Sequence, residues 1–373
     1  IGQMEQVARR VKMKLHLMGM TATLALVTGI AVADEVRVYN WSDYIDEALL
    51  EKFESETGLK LIYDVFDSNE LLETKMLAGG SGYDVVVPSG TFLQRQITAG
   101  AFQPLDMSKL TNMENMWDVI AARTAQYDPG NAYSINYMWG TTGIGVNVGK
   151  VTEILGADAP LSSMDLILNP EHASKLAECG IHVLDAPSEI IPMVLQYLGE
   201  DPDSHDPDVI AKAEPILTAA RPYISKFHSS EYINALANGE ICVAVGWSGD
   251  VLQARDRAAE AENGVDIAYN AFAQGSLMWF DQMAIPEDAP NPEGAHLFLN
   301  FIMDAQNMAD ASNYVYYANG NLASQPLLEE DVIGDTAIYP DAATLENLYT
   351  TTPYPARVQR VVTRLWTKVK SGT

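Results

Sequence analysis

The 373-residue sequence predicts an α/β protein organised as two doubly wound units. Three observations predict it. Strand and helix patterns alternate at βαβ spacing between Val36 and Gly90. YDVVVPSG (83–90) is a continuous apolar run, as expected of a strand covered on both faces. A second set of strand and helix patterns begins near Gly140.

Residues 1–33 are set aside first. Arg9, Arg10, Lys12 and Lys14 precede an uncharged, mostly apolar run from Leu15 that ends in Ala31-Val32-Ala33, a small-x-small cleavage pattern. This reads as a secretory signal peptide; a retained anchor is the weaker alternative, because Thr and Gly interrupt the run. Met13 is the expected start, with upstream translation before it. No Cys follows the run, so a lipid-anchored form is not expected. Removing 33 of 373 residues leaves 340, enough for two ordinary domains. No other stretch is long and apolar enough to span a bilayer.

The elements then follow in order. VRVYN (36–40) reads as a strand. Asp46 opens the helix EALLEKFESETG, with Leu49, Leu50 and Phe53 on one face and Gly58 as its stop. LKLIYDVF (59–66) is the second strand, and Asp67 with Glu70 makes a capping box for SNELLETKMLAGG. YDVVVPSG is the third strand. In the second unit, IHVLDA (181–186) and ICVAVGW (241–247) read as strands and IIPMVLQYLG (190–199) as a helix. EDPDSHDPD (200–208) reads as a loop. VDIAYNAF and MWFDQMAIP (278–286) return to strand, PEGAHLFLNFIMDA (292–305) is a helix, and the basic tail after Pro353 is a surface helix. In sheets of this kind ligands bind beyond the carboxyl ends of the strands. That places Asn40-Trp41-Ser42-Asp43-Tyr44 and Pro88-Ser89-Gly90-Thr91 on one rim.

Composition excludes several partners. The formal charge is −27, and removing Arg9, Arg10, Lys12, Lys14 and Glu5 takes away a net +3 to leave −30. Such a chain repels nucleic acid and anionic lipid and suits a cationic partner, though solubility alone also explains acidity. Cys179 and Cys242 can form one disulfide in an exported protein or remain buried thiols; export favours the bond. The six histidines hold no H-E-x-x-H spacing, and His228 reads as structural. Gly143-Ile144-Gly145 is followed by Gly149 one residue too late for a dinucleotide fingerprint. Asp201, Asp203 and His205 hint at a calcium loop, but Asp206 and Lys212 stand where it needs Gly and Glu. There is no G-x-S-x-G elbow. Asn40-Trp41-Ser42 fits a glycosylation sequon, which matters only in a eukaryotic secretory pathway. No catalytic residue, metal site or cofactor is expected.

What remains is three aromatic–carboxylate couples: Trp41 with Asp43, Trp247 with Asp250, and Trp279 with Asp281. One couple alone is a half-buried Trp beside a solvated or helix-capping Asp. Three, at comparable strand ends in two units, point to a cation. An alkyl diammonium asks for apolar faces along its methylenes and carboxylates, hydroxyls and π-faces at its ends. An amino-acid receptor would instead need an Arg for the α-carboxylate, and these segments contain none.

VYNWSDYID, YDVFDSNE, YDVVVPSG, FHSSEYINALANGEICVAVGWSGD and RLWTKVKSG resemble the periplasmic polyamine-binding proteins of bacterial ABC importers, most of all the putrescine-binding branch. The resemblance runs across essentially all of the chain after residue 33. It implies a type II periplasmic binding protein fold, two α/β lobes closing on ligand. Lobe 1 would comprise 34–138 and about 268–304, and lobe 2 about 139–267 and 305–373. Carried over motif by motif, the ligand-binding residues are Trp41, Ser42, Asp43, Tyr44, Ser89, Glu189, Ser229, Trp247, Asp250, Trp279, Asp281 and Tyr317. Asp281 would take one ammonium, with Asp43, Glu189 and Asp250 at the other end or on bridging waters, and Trp41 and Trp247 along the methylenes. Asp43 and Glu189 would fall in different lobes, which links closure to binding. Trp279 departs from the putrescine branch, where Phe is common, toward spermidine receptors. The resemblance also implies permease subunits as partners, a periplasmic location, a monomer and no enzymatic activity. The alternatives are a secreted hydrolase using two of the acids, and a polyamine sensor docking on a membrane receptor.

Overall fold

The computed structural model describes residues 35–372; the expected signal peptide lies outside them. Eleven strands form one mixed sheet: β1 (Glu35–Trp41), β2 (Lys60–Phe66), β3 (Val85–Val86), β4 (Ser134–Asn147), β5 (Ile181–Val183), β6 (Lys226–Phe227), β7 (Val243–Trp247), β8 (Ile267–Asn270), β9 (Ser276–Ala284), β10 (Ala318–Asn319) and β11 (Leu348–Tyr349). The order is β2-β1-β3-β9-β4-β7-β5-β6, with β8 and β10 on β4 and β11 on β9. β1 pairs in parallel with β2 and β3, and β5 with β6 and β7. Between these parallel triplets β4 and β9 run antiparallel, residues 134–142 against 277–284. Helices cover both units, as βαβ crossovers require.

Two hydrophobic cores flank the central pair. Val36, Phe53, Val85 and Phe298 belong to the first, and Leu166, Val243, Val251 and Leu365 to the second. β4 crosses between them: Ile135, Tyr137 and Met138 pack into the first core, and Trp139, Ile144 and Val146 into the second. β9 crosses back, with Met278 and Phe280 in the second core and Met283 and Ala284 in the first. The fold is therefore two lobes joined by crossing strands.

Local chemistry explains most elements. Asp46 caps the helix Glu47–Thr57 by accepting from the amide of Ala48 at 2.9 Å, and Gly58 ends it at φ +73°. The expected box of Asp67 and Glu70 is displaced by one residue: Ser68 is the cap, its hydroxyl accepting from the amide of Leu71 at 3.2 Å. The third strand is laddered only at Val85–Val86. The loop over 200–208 is tied down by Asp203, which accepts from the amide of Thr352 at 2.6 Å, and Pro207 opens a short helix at its end. Cys179 and Cys242 are disulfide-bonded, with Cα atoms 5.5 Å apart.

Larger features also differ from the sequence reading. The 14-residue strand β4 was not recognised, although it is buried along its whole length. The helix begun at Pro292 stops at Ile302, and Asp304 caps a new helix, Ala305–Val315. That turn sends Met308, Ala311 and Val315 back into the first core, while Ile267, Tyr269 and Phe272 pack in the second. Packing thus departs from the expected lobe boundaries at 268 and 305. The tail helix Ala356–Ser371 is more than a surface helix, because it buries Val358, Val362, Leu365, Trp366 and Val369.

Candidate functional site

The carboxyl ends of β1, β3 and β7, the segment following β5 and the middle of β9 face a cleft of about 700 Å³, counted out to its solvent mouth. Trp41 ends β1; its indole N–H donates to the carbonyl of Val87 at 2.9 Å, which locks the ring across the cleft floor. There it meets Trp247, the last residue of β7, edge to face with centroids 5.4 Å apart. This aromatic contact joins the two lobes.

Two buried carboxylates, Asp281 and Asp250, and the half-buried Glu189 surround these rings. Asp281 in β9 accepts from Ser89 Oγ at 2.5 Å and from the Tyr44 hydroxyl at 2.9 Å. Asn69 holds Ser89 in turn, accepting from its amide at 3.0 Å and donating to its hydroxyl at 2.9 Å. Asp250, in the first turn of the helix Ser248–Glu260, accepts from Tyr317 at 2.7 Å and Tyr232 at 2.8 Å. Glu189, in the first turn of Pro187–Tyr197, accepts from the Thr142 hydroxyl and from the Trp247 indole N–H at 3.0 Å. All six donors are neutral. No Lys, Arg or His among the described residues forms an ion pair with any of the three carboxylates.

Electrostatics follow from that arrangement. Burial pushes Asp281, Asp250 and Glu189 up to about 7 each, against the hydroxyl and indole donors that pull the other way. Asp250 raises Asp281 further, and Asp281 raises Glu189. The three carboxyl groups therefore hold their charge poorly near neutral pH, with no ion-paired cation among the described residues.

Trp279 forms a wall. Its ring meets Tyr317 at 5.4 Å and lies opposite Gly140 in the β4–β9 ladder. A Cβ on Gly140 would stand 2.8 Å from the indole, so this glycine is what admits a Trp there. Gly249 plays the same part for Tyr317, whose ring fills the space a side chain would take.

Comparisons with known proteins accord with this geometry. The family model "Bacterial extracellular solute-binding protein" matches residues 48–340. The chain belongs to that family. This solute-binding protein is 50% identical to the putrescine-binding periplasmic protein SpuD of Pseudomonas aeruginosa over 349 residues, covering 93% of this chain and 95% of that one. It is 48% identical to the putrescine-binding periplasmic protein PotF of Escherichia coli, over 94% of this chain and 96% of that one. Among solved structures, a putative spermidine/putrescine ABC transporter protein from Listeria monocytogenes superposes with a TM-score of 0.79 at 32% identity, over 90% of this chain and 99% of that one. These relatives are binding proteins rather than enzymes, and they lend the hydrolase reading no support.

Ten of the twelve residues singled out in the solute-binding protein's sequence line the cleft: Trp41, Ser42, Tyr44, Ser89, Glu189, Trp247, Asp250, Trp279, Asp281 and Tyr317. Two do not. Asp43 adopts a left-handed backbone, φ +54°, and turns its carboxylate onto Arg257 at 2.7 Å. Ser229 is buried and does not line the cleft; its hydroxyl accepts from the amide of Asp185 at 3.2 Å. The reading missed Asn69, Thr142 and Tyr232, which orient the carboxylate groups. Asn69 lies within the quoted YDVFDSNE and Tyr232 within the quoted SSEYIN, so both were visible as motif members. Thr142 sits on the unrecognised β4.

Proposed function

We propose that this solute-binding protein captures an alkyl diammonium, putrescine in preference to spermidine, and delivers it to the membrane permease of an ABC importer. The observation that carries the reading is the set of three cleft carboxylates, two buried and Glu189 half-buried, with neutral donors and no ion-paired cation among the described residues, set between Trp41, Trp247 and Trp279. No Lys or Arg is among the cleft-lining residues, which disfavours an anionic ligand. Asp281 takes one ammonium. Glu189 and Asp250 take the other. Trp41 and Trp247 cover the methylenes between, and Trp279 sets the length the cleft accepts.

The magnitudes suffice. Four buried methylenes contribute about 3 kcal/mol at ~0.8 kcal/mol each. Each cation–π contact adds about 0.5–2 kcal/mol. Charge-assisted hydrogen bonds to three carboxylates then bring the sum to the ~8 kcal/mol of micromolar binding, after ordering losses. The printed ligands of SpuD and PotF support the same class. Their periplasmic location supports export of this chain, with residues 1–33 removed as a signal peptide and the mature protein acting as a monomer. The two cores support lobes that close over the cleft about β4 and β9.

The test is calorimetric titration of refolded, ligand-stripped protein with putrescine, cadaverine and spermidine, repeated with Asp281→Ala. Saturation near one equivalent, abolished in the variant, is expected, with putrescine tightest. No heat from any amine refutes the reading.

A further inference from the structure

We propose that the exposed face of the tail helix Ala356–Ser371 is a docking surface for anionic phospholipid headgroups, on which this acidic protein rests transiently at a membrane. This goes beyond the polyamine reading above and does not depend on which solute the cleft takes.

After Glu346 the sequence carries five basic residues and no acidic one, in a chain whose formal charge is −27. All five lie on the tail helix. Lys368 pairs with Glu214, and Lys370 with Asp185 at 2.7 Å. Arg357, Arg360 and Arg364 are exposed and form no ion pair or hydrogen bond among the described residues. Spacings of three and four residues set them in one row, with Lys368 a turn further on. The fold gives no reason for that row. Like charges at these spacings repel, and Arg357 stands in the first turn, at the positive end of the helix dipole. The opposite face is fixed: Val358, Val362, Leu365, Trp366 and Val369 are buried in the second core. The Trp366 indole N–H and Lys370 also donate to Asp185, two residues beyond β5, which ties the last turn to the second lobe. The helix therefore presents its cations outward and has no free apolar side to insert into a bilayer.

The chemistry of the row selects its occupant. The other exposed positions of the helix are Ala356, Thr363, Thr367, Lys368 and Ser371. None offers the aromatic or aliphatic anchor on which protein interfaces centre. A layer of phosphate headgroups asks only for mobile positive charge within a Debye length. The same layer repels the acidic remainder of the chain, so contact through this helix is weak, salt-sensitive and oriented.

The experiment is co-sedimentation of the full protein with vesicles of equal parts phosphatidylglycerol and phosphatidylethanolamine, and with phosphatidylcholine vesicles, at about 50 mM and about 500 mM salt. Wild type is compared with two triple variants, one with Arg357, Arg360 and Arg364 each replaced by Gln and one with each replaced by Lys. Wild type should sediment with the anionic vesicles at low salt only. The glutamine variant should partition about a hundredfold more weakly, at about fivefold per basic residue. The lysine variant should bind like the wild type, because headgroups read charge and not the guanidinium fork. The glutamine variant should melt no lower than the wild type, since it relieves like-charge repulsion, which separates lost docking from lost fold. Wild type that stays in solution with anionic vesicles at low salt, equal binding to phosphatidylcholine, or a glutamine variant that sediments like the wild type overturns the proposal. A lysine variant that melts normally yet binds as poorly as the glutamine one also overturns it, because that result assigns the arginines to a protein partner.

Discussion

Replacing Asp281 by Asn should abolish ligand capture and yet stabilise the ligand-free protein at alkaline pH. Asp281 is 4% exposed, and among the described residues its carboxylate accepts only from Ser89 and Tyr44. Its pKa is raised to about 7 from an ordinary 3.8, with burial the largest cause. A carboxyl raised in the folded state contributes stability that is fully present below about pH 4 and is lost as pH rises through about 7. At pH 8 the folded protein therefore bears the full cost of holding an unpaired charge. At 1.36 kcal/mol per pKa unit the cost is about 4 kcal/mol as an upper bound. Asn keeps the shape and removes the charge. It exchanges one accepting oxygen for a donor, which weakens the bond from Ser89 or Tyr44 by about 1 kcal/mol. The net gain is then about 1–3 kcal/mol at pH 8, and near zero or slightly negative at pH 4.

Scanning calorimetry of ligand-stripped wild type and Asp281→Asn at pH 4 and pH 8 measures this directly. At about 2 °C per kcal/mol for a chain of this size, the variant should melt about 2–6 °C higher at pH 8. Saturating putrescine should reverse the order, because only the wild type gains the linkage term, about 4.1 kcal/mol at one thousand times Kd. A variant less stable than wild type at pH 8, or a difference that does not change between the two pH values, would refute the claim that burial without a counter-ion strains this carboxylate.

Three further outcomes follow from the same geometry. Putrescine affinity should fall as pH is lowered from 8 to 6, because Asp281, Asp250 and Glu189 take up protons near 7 in the empty site while the amines stay charged; titrations across that range with buffer-corrected proton release check it. Gly140→Ala should push the Trp279 ring, 2.8 Å from the new Cβ, into the cleft and weaken binding about tenfold, and adding Trp279→Phe should restore most of it in calorimetry. Cys179→Ser with Cys242→Ser should lower stability by about 4 kcal/mol, from the loop entropy of a 63-residue separation, and leave putrescine affinity within a factor of two.

Parallel elements were legible because their signals are local. Asp46 and Gly58 bound one helix by chemistry that acts over a few residues, and the runs 181–186 and 241–247 read as strands for the same reason, laddered in the fold at Ile181–Val183 and Val243–Trp247. β4 was not legible. SINYMWGTTGIGVN is buried at every position, so it shows no alternation, and its three glycines weaken the strand pattern. Those at 140 and 143 serve neighbours distant in sequence, making room for Trp279 and for Tyr269. The site divides likewise. Trp41, Trp247 and Asp281 stood out as residue types at strand ends, and the family resemblance added Glu189 and Tyr317. Asp43 shared its motif with true cleft residues, but the direction of a side chain at φ +54° is set by Arg257, 214 positions away. A motif places a residue in a loop. It does not say which face of the loop the side chain takes.

Charge placement also bears on the proposed closure of the lobes over ligand. Asp281 is held by first-lobe donors, Tyr44 and Ser89, whereas the second-lobe helix Ser248–Glu260 carries Asp250 and Trp247 steadies Glu189. Bringing the lobes together without ligand gathers three anions into one desolvated space, where Asp250 raises Asp281 and Asp281 raises Glu189. That repulsion favours an open cleft. The Trp41–Trp247 contact and the Asp43–Arg257 bond favour a closed one. A dication changes the sign of the first term and leaves the second untouched, so both then act in the same direction. A monoamine supplies one positive charge for three carboxylates and leaves at least one end of the cleft repulsive. On the proposed reading, monoamines should bind weakly because of the cost of closing around an unbalanced charge, with no clashing residue needed, and calorimetric titration with butylamine checks this.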